Sequence, residues 1–299
     1  MDKTHTPTPQ LETPERQAAA RRCTWVSVWV NLGLTAAQLV IGLFAQSQAL
    51  IADAIHSLSD LVSDGVVLVA NKHSGKGPDA DHPYGHLRFE TAATLAIGVL
   101  LCLVGLGMLW RSIEYMQPGH QIPTVHPAAF YMALVALVSK EFLFRYLMRV
   151  ARRVRSTMLV ANAWHARSDA ASSLVVAMGI GANLAGIPLA DPLAALVVGL
   201  MIIRMGWKFS WSAFHDLVDR AADEGTEQAI RARILSTPGV RGIHDLRTRK
   251  MGDMIWVEVD IEMDGQLTIE AGHAIAVEAR DRVMADLPVL DVITHFDPV

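Results

Sequence analysis

Cysteine is nearly absent. The chain holds two among 299 residues, Cys23 and Cys102, and both lie in apolar stretches. That excludes a disulfide framework and leaves both as small buried hydrophobes. No cleavable leader is expected either. Residues 1–20 are polar and proline-rich, with no short apolar core ahead of a small-residue cleavage site, and read as a flexible cytoplasmic tail. The H-E-x-x-H spacing occurs nowhere, so an intramembrane metalloprotease, which needs that zinc pair and its glutamate base, is excluded. Charged residues make up only 19% of the chain and sum to −4, and no nucleic-acid partner is expected.

What is present is apolar: 52% of residues are hydrophobic and the mean hydropathy is +0.29. Windows of roughly 20 residues, the length that crosses a bilayer, predict six spans at 23–46, 49–71, 89–111, 126–148, 158–185 and 189–210. Lys and Arg cluster before the first span (Arg16, Arg21, Arg22), between the second and third (Lys72, Lys76, Arg88) and between the fourth and fifth (Arg149, Arg152, Arg153, Arg155). The alternate loops, 112–125 and 184–190, have almost none, which predicts both termini on the cytoplasmic side. The division expected is a tail over 1–20, a six-helix membrane domain over 21–212 and a small α+β cytoplasmic domain over 213–299. In the last, EQAIRARILS and TIEAGHAIAVEARDRVMADL have helical periodicity. VRGIHDLRTRK and MIWVEVDIEM read as strands joined at Gly252 and Asp253, and VLDVITHFDP as a third. Trp256, Glu258, Asp260 and Glu262 share one face of the second strand, and Val257, Val259 and Ile261 the buried face.

Two spans each carry a histidine and an aspartate four residues apart: His56 and Asp60 in HSLSD, His165 and Asp169 in HARSD. Four residues is about one helical turn, so each pair leaves one face of its helix. Ionisable groups in a bilayer cost several kcal/mol and are tolerated mainly when they face one another or a wet cavity. One such pair could be interhelical glue. Two pairs with matching flanks make a shared site, with ligands for a tetrahedral divalent metal and two carboxylates to offset its charge. A metal site inside the membrane implies transport. Asp53 and Asp64 extend the first pair's face by a turn each way, as path lining or, for Asp53, at an interface. Arg167 falls on another face and is read as outside the site. Asn31, Gln38, Asn162, Ser59 and Ser63 fit either supporting partners or helix glue.

Two further clusters stand outside the spans. GKGPDADHPYGHLRFE packs Asp79, Asp81, His82 and His86 into eight residues among proline and glycine turns, which points to a surface metal site. His73, at a helix end, is read as a cap. In the tail, His244, Asp260, His273, His295 and Asp297 are candidate ligands, the last two alternating on one strand and so facing the same way.

SQALIADAIHSLSD, DADHPYGHLRFE, HARSDAASS, HDLRTRKMG and ITHFDP together resemble the cation diffusion facilitator family of metal-ion/proton antiporters, from about Arg21 to the end, and the last three fit best with its bacterial ferrous-iron/zinc efflux branch. The resemblance implies a homodimer in the bacterial inner membrane, with a metallochaperone-like domain at the two-fold axis. It also implies efflux of a divalent cation in exchange for protons. It assigns the transport site to His56, Asp60, His165 and Asp169, a loop site to Asp79, His82 and His86, and a cytoplasmic site to His244, Asp260, His273, His295 and Asp297. Arg88 and Asp219 match positions of a charge interlock. His56 stands where that branch often has aspartate, giving a more zinc-like set, and Asp260 where some relatives have histidine. Zn²⁺ is the expected cargo and regulatory ligand, with Cd²⁺ and Fe²⁺ compatible with the same donors. The rival from another class is a membrane metal receptor that moves no ions.

Overall fold

The computed structural model describes residues 14–74, 76–117, 124–154 and 157–299. Of the residues singled out above, Arg155, residues 1–13 of the expected tail and 118–123 of the second loop lie outside them. So do the side chains of Arg16, Arg21, Asp64, Lys72, His73 and Asn162.

Six long helices come first: α1 (Pro14–Phe44), α2 (Gln48–Ser74), α3 (Arg88–Met116), α4 (Ala128–Val154), α5 (Thr157–Leu184) and α6 (Ala190–Leu217). Each matches one expected span and several run past it. Their surfaces invert the pattern of a water-soluble bundle. Large apolar side chains such as Trp29, Leu103, Trp110, Tyr131, Phe142 and Met178 are exposed, while Ala49, Ala54, Ala133, Ala136, Ala163 and Ala177 are buried. Lipid tails are as apolar as leucine, so small residues let helices approach and bulky ones face outward. Trp25–Phe44 of α1, and α3 and α6, are apolar enough by length and composition to cross a membrane. α2, α4 and α5 are diluted by polar residues, of which Asp53, His56, Ser57, Lys140, Ser172 and Ser173 are buried.

The described residues form two compact units, 14–65 with 100–206 and 66–99 with 207–299. In the first, Leu143, Phe144, Leu147 and Ala151 of α4 pack on Leu159, Ala163 and Ala166 of α5, with Cys23 of α1 buried among them. Helix ends there are closed by side chains. Asp191 takes the Ser47 hydroxyl at 2.5 Å and the Gln48 N–H at 2.7 Å, satisfying the start of α2.

The second unit gathers the 66–99 segment with the α+β portion. After α6 come α7 (Glu224–Leu235), β1 (Gly242–Met251), β2 (Met254–Met263), α8 (Ile269–Asp286) and β3 (Val289–Pro298), in the predicted order. Asp223 caps α7 by accepting the Thr226 N–H at 3.0 Å, and Thr268 caps α8. β2 is central, antiparallel to β1 and parallel to β3. Its Val257, Val259 and Ile261 are buried against Ile230, Ile234, Ala276, Ala279 and Val283 from α7 and α8. Both helices therefore cover one sheet face. The other carries Trp256, Glu258, Asp260 and Glu262.

Candidate metal site

The first unit brings together three of the four intramembrane residues. One ligand atom each from His56 and Asp60 on α2 and Asp169 on α5 lies within 4.8 Å of the others. His56 Nδ1 stands 3.8 Å from Asp60 Oδ2, and His165 Nε2 3.9 Å from Asp169 Oδ2. Both gaps are too long for hydrogen bonds. They match two donors sharing one ion at about 2.0–2.2 Å each, which leaves the donors roughly 3–4 Å apart. His56 Nδ1 is buried with no hydrogen-bond partner among the described residues. An uncompensated nitrogen is costly in a dry interior, so this one has its hydrogen-bonding capacity left over. His165 is not drawn in. Its ring is exposed at the rim, a turn before Asp169 on α5.

The other polar residues of these helices sort cleanly. Ser59 and Ser63 donate to the carbonyls of Ile55 and Ser59, four residues back, and are helix bonds rather than site partners. Gln38 donates to Asp53 at 2.5 Å. Arg167 stacks over Phe144, 4.7 Å from the ring centroid, outside the site as expected. Asp53 neither lines the triad nor faces outward. It is fully buried and paired with Lys140 of α4, a residue that the hydropathy reading passed over. A lone lysine in AAFYMALVALVSKEFLF was the available signal, since an intramembrane cation needs a named partner.

In the second unit, Asp79, His82 and His86 form a compact group. Asp79 Oδ1 accepts the N–H groups of His82 at 2.7 Å and Asp81 at 3.1 Å, folding the loop on the carboxylate. The His82 N–H, helped by charge from the histidines, holds the Asp79 carboxyl below the usual aspartate range. Asp81 serves through its backbone. His86 Nδ1 lies 3.2 Å from the Gly77 carbonyl, which can only accept, so the neutral ring keeps its lone pair on Nε2. That atom is the one 3.3 Å from Asp79 Oδ2, and His82 Nδ1 is 3.5 Å from Asp79 Oδ1. Phe89 stacks on His86. Gly85, at φ +82°, turns the chain between Tyr84 and His86. Nearby, Arg88 pairs with Asp219 and donates to Met251 Sδ, and Arg249 lies over Tyr84 and Trp256.

The tail cluster runs across the open sheet face. Register pairs His244 with Asp260 and Asp260 with His295, and places Glu262 beside Asp297. His244 Nε2 is 3.0 Å from Asp297 and 3.8 Å from Asp260, while its Nδ1 is 3.3 Å from Glu262. His295 is 3.5 Å from Asp297. Two carboxylates here were not expected as ligands. Glu262 shares the Asp260 face. Asp245 joins His244 and Asp260 through a bulge at which its own φ is +47°. His273 does not join. It is exposed on α8, which covers the opposite face of the sheet, so one protomer cannot bring it to the row.

The pattern described as the cation efflux transmembrane domain matches residues 24–218, and that of the cation efflux protein cytoplasmic domain matches 222–299. The chain is 36% identical to metal tolerance protein C1 of Arabidopsis thaliana over 90% of its own length, and spans 60% of that longer protein. It is 31% identical to magnetosome protein MamB of Magnetospira sp. strain QH-2, covering 94% of this chain and 98% of the relative. It is 28% identical to manganese efflux system protein MneP of Bacillus subtilis strain 168, covering 95% and 98%. The chain thus belongs to the cation efflux family of membrane metal transporters, also called the cation diffusion facilitators.

Proposed function

We propose that the protein exports a divalent metal, Zn²⁺ foremost, in exchange for protons, through His56, Asp60, His165 and Asp169. The observation that carries this reading is the convergence of His56, Asp60 and Asp169 from two helices around a buried imidazole nitrogen that has no hydrogen-bond partner among the described residues. Histidine and carboxylate must shed protons to bind metal, so metal and proton occupancy oppose each other at one site. Imidazole titrates near pH ~6.5, within reach of an ordinary transmembrane gradient. Exposing the site alternately to either side then couples the two fluxes. Two imidazoles with two carboxylates favour Zn²⁺, and Cd²⁺ and Fe²⁺ suit the same donors. The names of the relatives reach further, to metal tolerance in one and manganese efflux in another, so Mn²⁺ belongs in the test.

We further read the protein as a homodimer of the bacterial inner membrane with both termini cytoplasmic. The layout of Lys and Arg supports the orientation. The loop and tail clusters then face cytoplasmic metal. The test is metal-stimulated proton flux in proteoliposomes with Zn²⁺, Cd²⁺, Fe²⁺ and Mn²⁺, with Asp60→Ala as control. Zn²⁺-driven flux that is lost in the variant is expected. Binding with no flux for any of the four would leave a metal receptor instead.

A further inference from the structure

Exposure falls in the same direction along both helices of the triad. On α5 the side chains go from 53% exposed at His165 to 13% at Asp169 and to none at Ser172 and Ser173. On α2 they go from 16% at Asp60 to 8% at His56 and none at Asp53. The triad is therefore approachable from the His165 side and closed on the other.

What closes it is a polar knot of four helices. Lys140 of α4 donates to Ser173 Oγ of α5 at 2.8 Å and to Ser57 Oγ of α2 at 3.2 Å, with the Asp53 carboxylate at 3.5 Å. Asp53 accepts from Gln38 of α1 at 2.5 Å and from Ser173 at 2.7 Å. Ser172 Oγ lies 2.8 Å from the Asp169 carbonyl and 3.3 Å from Asp53, and its single proton can serve only one at a time. The knot is thus built onto the metal-facing segments, through Ser57 beside His56 and Ser172 three residues past Asp169. Apolar side chains would hold four helices together as well or better than an ion pair. An ion pair differs in one respect: water or another ion can take it apart.

We propose that the Asp53–Lys140 pair, with Ser57, Ser172 and Ser173, is the gate on the far side of the metal triad. Intact, it shuts the path beyond His56 and Asp169; it parts and wets when metal leaves on that side. Lys140 and Asp53 are positioning residues in this scheme, not ligands. The inference rests on the triad being the transport site.

The test follows Zn²⁺ entry and lumenal pH together in proteoliposomes, alongside thermal unfolding in detergent, for Lys140→Met, Asp53→Asn and the double variant. Each single variant leaves a buried charge uncompensated and is expected to melt earlier, and the double variant to recover much of that loss. For a gate, the recovered double variant still moves Zn²⁺ but returns about tenfold fewer protons per ion, because the path no longer shuts between turnovers. A double variant with both the melting temperature and the proton ratio of the wild type would overturn the gate. If the double variant carries no Zn²⁺, Ser173→Ala, which removes only the bridging hydroxyl, decides in the same way: a lowered ratio supports the gate and an unchanged one overturns it. Wild-type vesicles that move no Zn²⁺ would overturn the transport reading along with it.

Discussion

His56 is the residue at which function and stability pull apart. Its Nδ1 is buried and without a partner among the described residues, a cost of about 1–3 kcal/mol to the metal-free fold. His56→Leu is therefore expected to raise the melting temperature of metal-free protein. The same change should remove the triad's share of the rise that Zn²⁺ gives the wild type, about 2.7 kcal/mol at a hundredfold excess over that site's Kd. Thermal unfolding in detergent with and without Zn²⁺ reads both. A variant that melts earlier in both conditions would mean that the ring is packing rather than a ligand. Asp79 makes the opposite case, a carboxylate already satisfied. The His82 N–H lowers its folded pKa, so its contribution is complete above the unfolded carboxyl value and fades only as pH falls through the lower folded one. Across pH 5.5–7.5 Asp79 stays ionised. Asp79→Asn is thus expected to weaken Zn²⁺ binding by the loop at every pH in that window. Binding isotherms at several pH values check this, and an affinity unchanged anywhere in the window would contradict it.

Packing between helices sets the element scale. A Cβ placed on Gly179 of α5 would land on Ala194 Cβ and 3.0 Å from the Ala190 carbonyl of α6, so α6 itself would have to move. Gly107 of α3 has open space around its Cα. Gly179→Val is expected to cost about 1–3 kcal/mol in denaturant unfolding, from overpacking, while Gly107→Val changes little. Equal effects would mean that helix propensity, not contact, decides. The long helices and the strand order of the tail were legible in the sequence because hydropathy, the period of 3.6 and the Gly252–Asp253 turn are local signals. The paired HSLSD and HARSD were legible for the same reason. Lys140 was not, since a twenty-residue average absorbs one lysine and its partner lies 87 residues away. Nor was the placing of His273 away from the row of its own protomer. Periodicity gives the faces of a helix, but which face of the sheet α8 covers is settled only by packing. Asp245 escaped because a bulge, not alternation, turns it toward His244.

At the scale of the molecule, the described residues form one histidine–carboxylate cluster in the first compact unit and two in the second, and the clusters differ in what surrounds them. The triad of the first unit is largely buried, so a charge left there without its counter-charge is expensive and every ligand matters to passage. The tail row of the second unit is half exposed, and Asp260, Glu262 and Asp297 surround one histidine. Like charges crowded in this way repel until a cation joins them, so metal there favours whichever conformation holds them closest. Losing one tail ligand should change how much metal is needed to turn transport on, not whether the path exists. Asp169→Ala is accordingly expected to abolish Zn²⁺ flux at any concentration. Asp297→Ala should keep the maximal flux but raise the half-saturating Zn²⁺ on the tail side, by about 10–100-fold if a supporting ligand is lost. Flux measured against Zn²⁺ concentration in proteoliposomes separates the two as a change in maximum and a change in midpoint. Equal loss of maximal flux in both variants would mean that the tail row is part of the path. The molecule would then work as one continuous metal relay rather than a transporter with a sensor attached.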